Sequence, residues 1–141
     1  MTDSIPATAA RLGLDPHPEG GWFRRTWTAL HPVETAGGTR PAATCIHYLL
    51  LPEEHSAWHV VTSDELWLWH GPGAVELSLG GSGEAPADAE VLVLGPDAGQ
   101  VVPALVPAGV WQTARPVGAD EVLMSCFVSP GFSFEDWRLA D

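Results

Sequence analysis

An all-β barrel or sandwich is the fold class this sequence predicts, and three observations predict it. Short runs rich in β-branched and aromatic residues recur along most of the chain, Gly and Pro clusters separate them, and only one stretch reads as helix. The 141 residues include 15 Gly and 13 Pro, the turn-rich composition that many short strands require. The helix is Thr8-Ala-Ala-Arg-Leu-Gly-Leu14, stopped by Gly13 and the Asp15-Pro16 pair. The strand-like runs follow at Trp22–Thr28, Ala43–Leu51, Trp58–Val61, Glu65–Trp69, Ala74–Leu79, Glu90–Leu94, Val101–Val106, Val110–Thr113 and Val122–Val128. Residues 80–89, a Gly, Ser and Ala stretch, read as an exposed loop inside one domain spanning 1–141, because neither flank is long enough to fold without the other.

Composition narrows the function. Six basic residues against 18 acidic ones give a net charge of −12, which repels nucleic acid and anionic membrane surfaces at long range. No stretch approaches the roughly 20 apolar residues of a membrane span, and the first residues lack the basic start of a secretion signal, so the cytoplasm is the expected compartment. Cys45 and Cys126 sit in apolar runs outside any metal-ligand spacing; they read as reduced core residues, with an interstrand disulfide as the alternative. There is no Gly-rich phosphate loop, no Gly-x-Ser-x-Gly turn and no His-Glu-x-x-His, which argues against a nucleotide hydrolase, a serine esterase and a zinc peptidase.

Strand alternation sorts the polar candidates, since residues two apart share a face. Glu65, Trp67 and Trp69 fall on one face, with Leu66, Leu68 and His70 on the other. His59 lies across a turn at Thr62-Ser63-Asp64 from Glu65, so imidazole and carboxylate can enter one cavity from adjacent strands. Such a pair suits a divalent Zn, Fe, Mn or Ni ion, or acid–base catalysis without a metal. His47 shares a face with Cys45 and Leu49 and is a candidate base or a hydrogen-bonded core residue; Tyr48 beside it is a candidate acid. Glu19, before Gly20-Gly21, is a candidate pocket-rim carboxylate, although the glycines have the plainer role of shaping the start of a strand. Arg24 and Arg25 point to opposite faces, and one of them could reach an anionic group. Trp58, Trp67, Trp69 and Trp111 offer stacking surfaces for a flat or sugar-like ligand, or simple core packing.

These residues carry a resemblance. His59, Glu65 and Gly71 resemble the first cupin segment, in which His-x-His is followed by a Glu and then a Gly, and Pro107-Ala-Gly109-Val-Trp-Gln112 resembles the second, Pro-x-Gly-x-x-His. His17-Pro-Glu-Gly-Gly-Trp-Phe23, Ser63-Asp-Glu-Leu-Trp67, Val106 to Gln112, and Ser129 to Trp137 are together similar to the small single-domain cupins of the type 5 branch. The resemblance implies a cupin jelly-roll barrel related to the sugar-nucleotide 3,5-epimerases, a small-molecule pocket and a homodimer. Val61 stands where the second His would fall and Gln112 where the last would, so the implied metal set shrinks to His59, Glu65 and Gln112, a weak one with open positions. Arg25 stands where the resemblance leads one to expect Glu. Three functions are expected: an isomerase- or epimerase-like proton-transfer enzyme on a sugar-like or keto-type compound, a metal-dependent lyase, hydrolase or oxygenase, and a non-catalytic binding barrel.

Overall fold

The computed structural model describes residues 4–97, 99–100 and 102–141. Among them one helix, α1 (Ala7–Leu12), precedes eleven strands: β1 (Asp15–Pro16), β2 (Trp22–Thr28), β3 (Pro32–Thr35), β4 (Gly38–Pro41), β5 (Thr44–Leu50), β6 (Ser56–Val61), β7 (Asp64–Leu79), β8 (Glu90–Leu94), β9 (Ala104–Val106), β10 (Gln112–Ser129) and β11 (Trp137–Leu139). Gly13 ends α1 in the left-handed region, φ 70°, where its N–H reaches back to Ala10 O. The helix lays Ala9 on Leu49 of β5 together with Leu14, closing one outer patch of the sheet.

Nine strands form one curled antiparallel sheet in the order β1-β2-β5-β10-β6-β11, with β7 pairing β10, β8 and β9. Its inner face buries Tyr48, Leu50, Trp67, Leu77, Met124 and Cys126. The fold class is thus the expected one, and the differences from the sequence reading are instructive. Glu65–Trp69 and Ala74–Leu79 are one strand, as are Gln112–Thr113 and Val122–Val128, while Val110 and Trp111 of the expected run precede β10; β7 and β10 pair along both halves with register shifts between them. The Gly71-Pro72-Gly73 break is tolerated there: a Cβ on Gly73 would sit 2.8 Å from Asp120 O, so glycine is what lets the two backbones meet. The strand expected at Val101–Val106 covers Ala104–Val106, and Val101 lies outside the described residues. Residues 81–85 are exposed and irregular, whereas Gly80 is buried against Trp58.

The β3–β4 hairpin and β11 carry weak strand signals and were not expected. The hairpin stands off the main sheet. Arg40 ties it to the 3-10 turn at Phe134–Asp136 by a two-pronged contact with Asp136, Nε to Oδ2 at 2.8 Å and Nη2 to Oδ1 at 3.1 Å.

On the outer face, the pairing register aligns Trp27, Cys45, Phe127, Leu66 and Leu105 in one row across five strands. Trp27 stacks on Phe127, ring centroids 6.1 Å apart, and Trp27 and Leu105 are about half exposed, at 49% and 50%.

Candidate functional site

A cavity of about 240 Å³ opens inside the curled sheet. Alternation decides who faces it. Phe23 and Arg25 of β2 pair with Tyr48 and Ile46 of β5, and all four line the cavity; Arg24, Cys45 and His47 point the other way. From β6 and β7 come His59, Val61, Glu65 and Trp67, and from the loop before β2 come His17 and Glu19.

Glu19 reaches the floor because its loop is folded tightly against β6. Its carbonyl accepts from Ala57 N at 2.7 Å, and Gly20 N donates to His17 O at 2.9 Å. Gly20 has φ 110°, and a Cβ there would lie 2.1 Å from His55 O. The glycine pair therefore serves close contact with the protein's own backbone, His55 O for Gly20 and Leu49 O for Gly21. Glu19 Oε2 accepts from Ser56 Oγ at 2.5 Å and Oε1 from Trp137 Nε1 at 3.2 Å. Oε1 also stands 3.5 Å from His59 Nε2 and 3.6 Å from His17 Nδ1. On the opposite side, Glu65 Oε1 accepts from Gln112 Nε2 at 2.8 Å, and Gln112 Oε1 accepts from Trp67 Nε1 at 3.0 Å.

The hydrogen-bond partners fix the tautomers. His59 Nδ1 lies 2.7 Å from Ala57 O, so it carries the hydrogen and leaves Nε2 as a lone pair facing Glu19. His17 Nδ1 accepts from Glu19 N at 3.0 Å, which puts its hydrogen on Nε2. Burial governs the charge state of all four groups, because taking an ion out of water disfavours the charged form. Burial pushes Glu19 up to about 7 against the hydrogen bonds from Ser56 and Trp137. Burial also pushes Glu65 up to about 7, with Glu19 adding to the rise and His59 opposing it. Burial, helped by His59, pulls His17 down to about 4, and burial pulls His59 down too, against the attraction of Glu65. Near neutral pH the floor holds two carboxyl groups poised between acid and carboxylate beside two imidazoles kept neutral.

Several expected site residues lie elsewhere. His47 is on the outer face, 6.3 Å from the His70 ring, with its Nδ1 buried and unpartnered among the described residues. Arg24 also points outward, its guanidinium beside Gly13. Trp58 packs on Gly80; Trp69 donates to Gly73 O at 2.7 Å; Trp111 donates to Gly83 O at 2.9 Å and carries the Arg138 guanidinium on its ring. Each of these three serves packing, and only Trp67 of the four lines the cavity. Tyr48 does line it, but its hydroxyl donates to Gly20 O at 2.5 Å and burial pushes its pKa well above the ordinary value. That proton holds the backbone of the Glu19 loop. Cys45 and Cys126 are both free and occupy opposite faces, Cys126 in the cavity wall with its thiol pushed well up by burial. His17, Ser56 and Trp137 belong to the site and were not singled out; the one signal was His17 two residues before Glu19 in a Gly-rich loop.

The expected ligand set does not fit a divalent metal. Gln112 turns its amide nitrogen on Glu65, and its oxygen is already taken by Trp67. Val61 presents methyl groups to the cavity, and no three His, Cys, Asp or Glu among the described residues form a metal-holding group.

A curled antiparallel sheet around such a cavity is the cupin architecture, and the comparisons agree. The chain belongs to the Cupin_5 family of the cupin superfamily (DUF985), whose model matches residues 7–140. A hypothetical protein from Leishmania major is 29% identical, with 92% of this chain and 83% of that one covered at a TM-score of 0.84. A Shewanella oneidensis protein is also 29% identical, covering 94% of this chain and 81% of that one at 0.83. A dTDP sugar isomerase from Desulfovibrio desulfuricans shares the fold at 14% identity and a TM-score of 0.61, over 84% of this chain and 83% of that one. None of the curated proteins matches. No described helix is long and apolar enough to cross a membrane.

Proposed function

We propose that this protein is a metal-independent proton-transfer enzyme, isomerase- or epimerase-like, acting on a small sugar-like or keto-type compound. One observation carries the reading: the bare Nε2 of His59 faces a cavity flanked by Glu19 and Glu65, both of which hold or release a proton near neutral pH. His59 takes the proton from a carbon next to a carbonyl, and Glu65 gives its proton to the carbonyl oxygen. Returning the proton from His59 to the former carbonyl carbon, while Glu65 takes back a proton from the hydroxyl of the neighbouring carbon, yields the isomer; protonation of the first carbon from its other face by water, with Glu65 retaking its proton from the enol and His59 releasing its own to solvent, yields the epimer. Glu19, 3.5 Å from Nε2, stabilises the imidazolium formed in between. The dTDP sugar isomerase among the structural neighbours supports the same chemistry by fold analogy only.

The test is solvent deuterium incorporation, followed by NMR, across a panel of α-hydroxy aldehydes, ketoses and 2-oxo acids. Wild-type protein should catalyse exchange into at least one, and His59→Ala should slow it by about 10²–10⁴-fold. Exchange no faster than buffer across the panel, or exchange unchanged in His59→Ala, sinks this reading and leaves a binding barrel.

We also infer a homodimer joined through the outer apolar row. A row of Trp27, Cys45, Phe127, Leu66 and Leu105 carries no charge, so two copies can pair it face to face despite a net charge of −12 on each. Trp27→Glu should shift the protein from dimer to monomer in light scattering at micromolar concentration. A monomeric wild type overturns the inference.

A further inference from the structure

The cavity has a polarity that the proton-transfer chemistry leaves unused. Its floor is acidic and its histidines stay neutral, yet Arg25 stands in its wall, the lone Arg or Lys among the lining residues. Arg25 pairs with Ile46 on the inward side of β2, one alternation beyond Phe23, so strand geometry and not chance mobility directs it there. Its Nη2 donates to Phe132 O at 2.9 Å, and Phe132 N in turn donates to Thr44 Oγ1 at 3.0 Å. The guanidinium is therefore held across the mouth between β2 and the segment preceding the 3-10 turn. That bond uses one of five N–H donors. The paired carboxylate that neutralises Arg40 has no counterpart here: Arg25 makes no ion pair among the described residues. In a protein of net charge −12, an unneutralised guanidinium at the mouth of an acid-floored cavity is a local reversal of sign.

We propose that Arg25 is a specificity residue that selects substrates bearing an anionic group, a carboxylate or a phosphate monoester, and seats that group at the cavity mouth. The planar fork suits either anion in a two-bonded contact. The rest of the molecule then points to the floor, where a second negative charge would meet Glu19 and Glu65 and be disfavoured. The compound is accordingly a small acid with one anionic end and an uncharged carbonyl- or hydroxyl-bearing end. About 240 Å³ accommodates a molecule of that kind but not a nucleotide sugar in full. This specifies the substrate class for the reading above, and its test is binding, which needs no turnover.

The probes are two matched pairs, phenylpyruvate with its methyl ester for the carboxylate arm and glyceraldehyde 3-phosphate with glyceraldehyde for the phosphate arm, titrated by Trp fluorescence and NMR line broadening. In at least one arm the anion should bind at least about tenfold more tightly than its neutral partner. Arg25→Ala should remove that preference, Arg25→Glu should invert it, and Arg25→Lys should restore part of it, all with unchanged affinity for the neutral compound. Arg25 is exposed, so these variants should keep the wild-type melting temperature. The arm that responds distinguishes carboxylate from phosphate. Equal binding of charged and neutral partners, undiminished anion binding in Arg25→Glu, or no binding by either anion overturns the proposal. Arg25-dependent binding without deuterium exchange would sink the proton-transfer reading alone.

Discussion

Glu65→Gln should gain stability on the wild type as the pH rises, by about 3 kcal/mol between pH 4.5 and pH 8 if Glu65 moves from its ordinary 4.5 to about 7 on folding. A carboxyl group whose proton is held more tightly in the folded state stabilises that state fully below about 4.5. The contribution is lost as pH climbs through about 7, because the buried carboxylate then has to form. Glutamine keeps an acceptor for Gln112 Nε2 without ever ionising. His17, drawn down to about 4, runs with the opposite sign: its contribution is present above 6.5 and lost as pH falls toward 4. Glu19, raised to about 7, runs with Glu65, and His59, lowered by burial, runs with His17, so the opposing trends offset one another between about 4.5 and 6.5 and the wild-type decline should emerge mainly above that window. Urea midpoints of both proteins across the pH range check this, and parallel curves would show that Glu65 is not held protonated. In exchange assays the same acid makes activity fall as pH passes 7, and Glu65→Gln abolishes it.

Gly20→Ala should be the most damaging single-atom change in the molecule, costing more than about 4 kcal/mol. The new Cβ would overlap the His55 carbonyl at 2.1 Å, and at φ 110° no L side chain sits comfortably. Neither partner is a flexible side-chain end, so relief requires lifting the 17–21 loop off β6. That withdraws Glu19 from Ser56 and His59 and breaks the Tyr48 contact with Gly20 O. Gly81→Ala is the matched control: φ is 75°, but nothing lies within 4 Å, and only the backbone cost of about 1 kcal/mol applies. Denaturation midpoints compare the two, and similar losses would mean the loop is not wedged as described.

The outline of the fold was legible because strand chemistry is local. Trp22–Thr28 and Glu90–Leu94 match the observed strands end to end, and Gly13 stops the helix as its chemistry requires. The face assignments were half legible. Period two separates Arg24 from Arg25 and His47 from Tyr48, yet it cannot say which face is the inside; that depends on how the sheet curls, and it sent His47 and Arg24 outward. The tryptophans misled because they neighbour the site residues in sequence, whereas Trp58 and Trp111 are spent on Gly80 and the 80–83 segment. His59 and Glu65 were readable from their turn and their family resemblance. Their relation to His17, Ser56 and Trp137 was not, because it joins residues as far apart as 19 and 137.

That last contact also shows that the proton affinity of Glu19 is a long-range product of the fold. Glu19 holds its proton unusually tightly because the folded sheet takes it out of water, while the hydrogen bonds from Ser56 of β6 and Trp137 of β11 temper that effect. In the unfolded chain the same carboxyl group meets water and titrates like any other glutamate. The tight hold on this proton is therefore a property of the assembled sheet and not of the residue: it draws on positions 19, 56 and 137 at once.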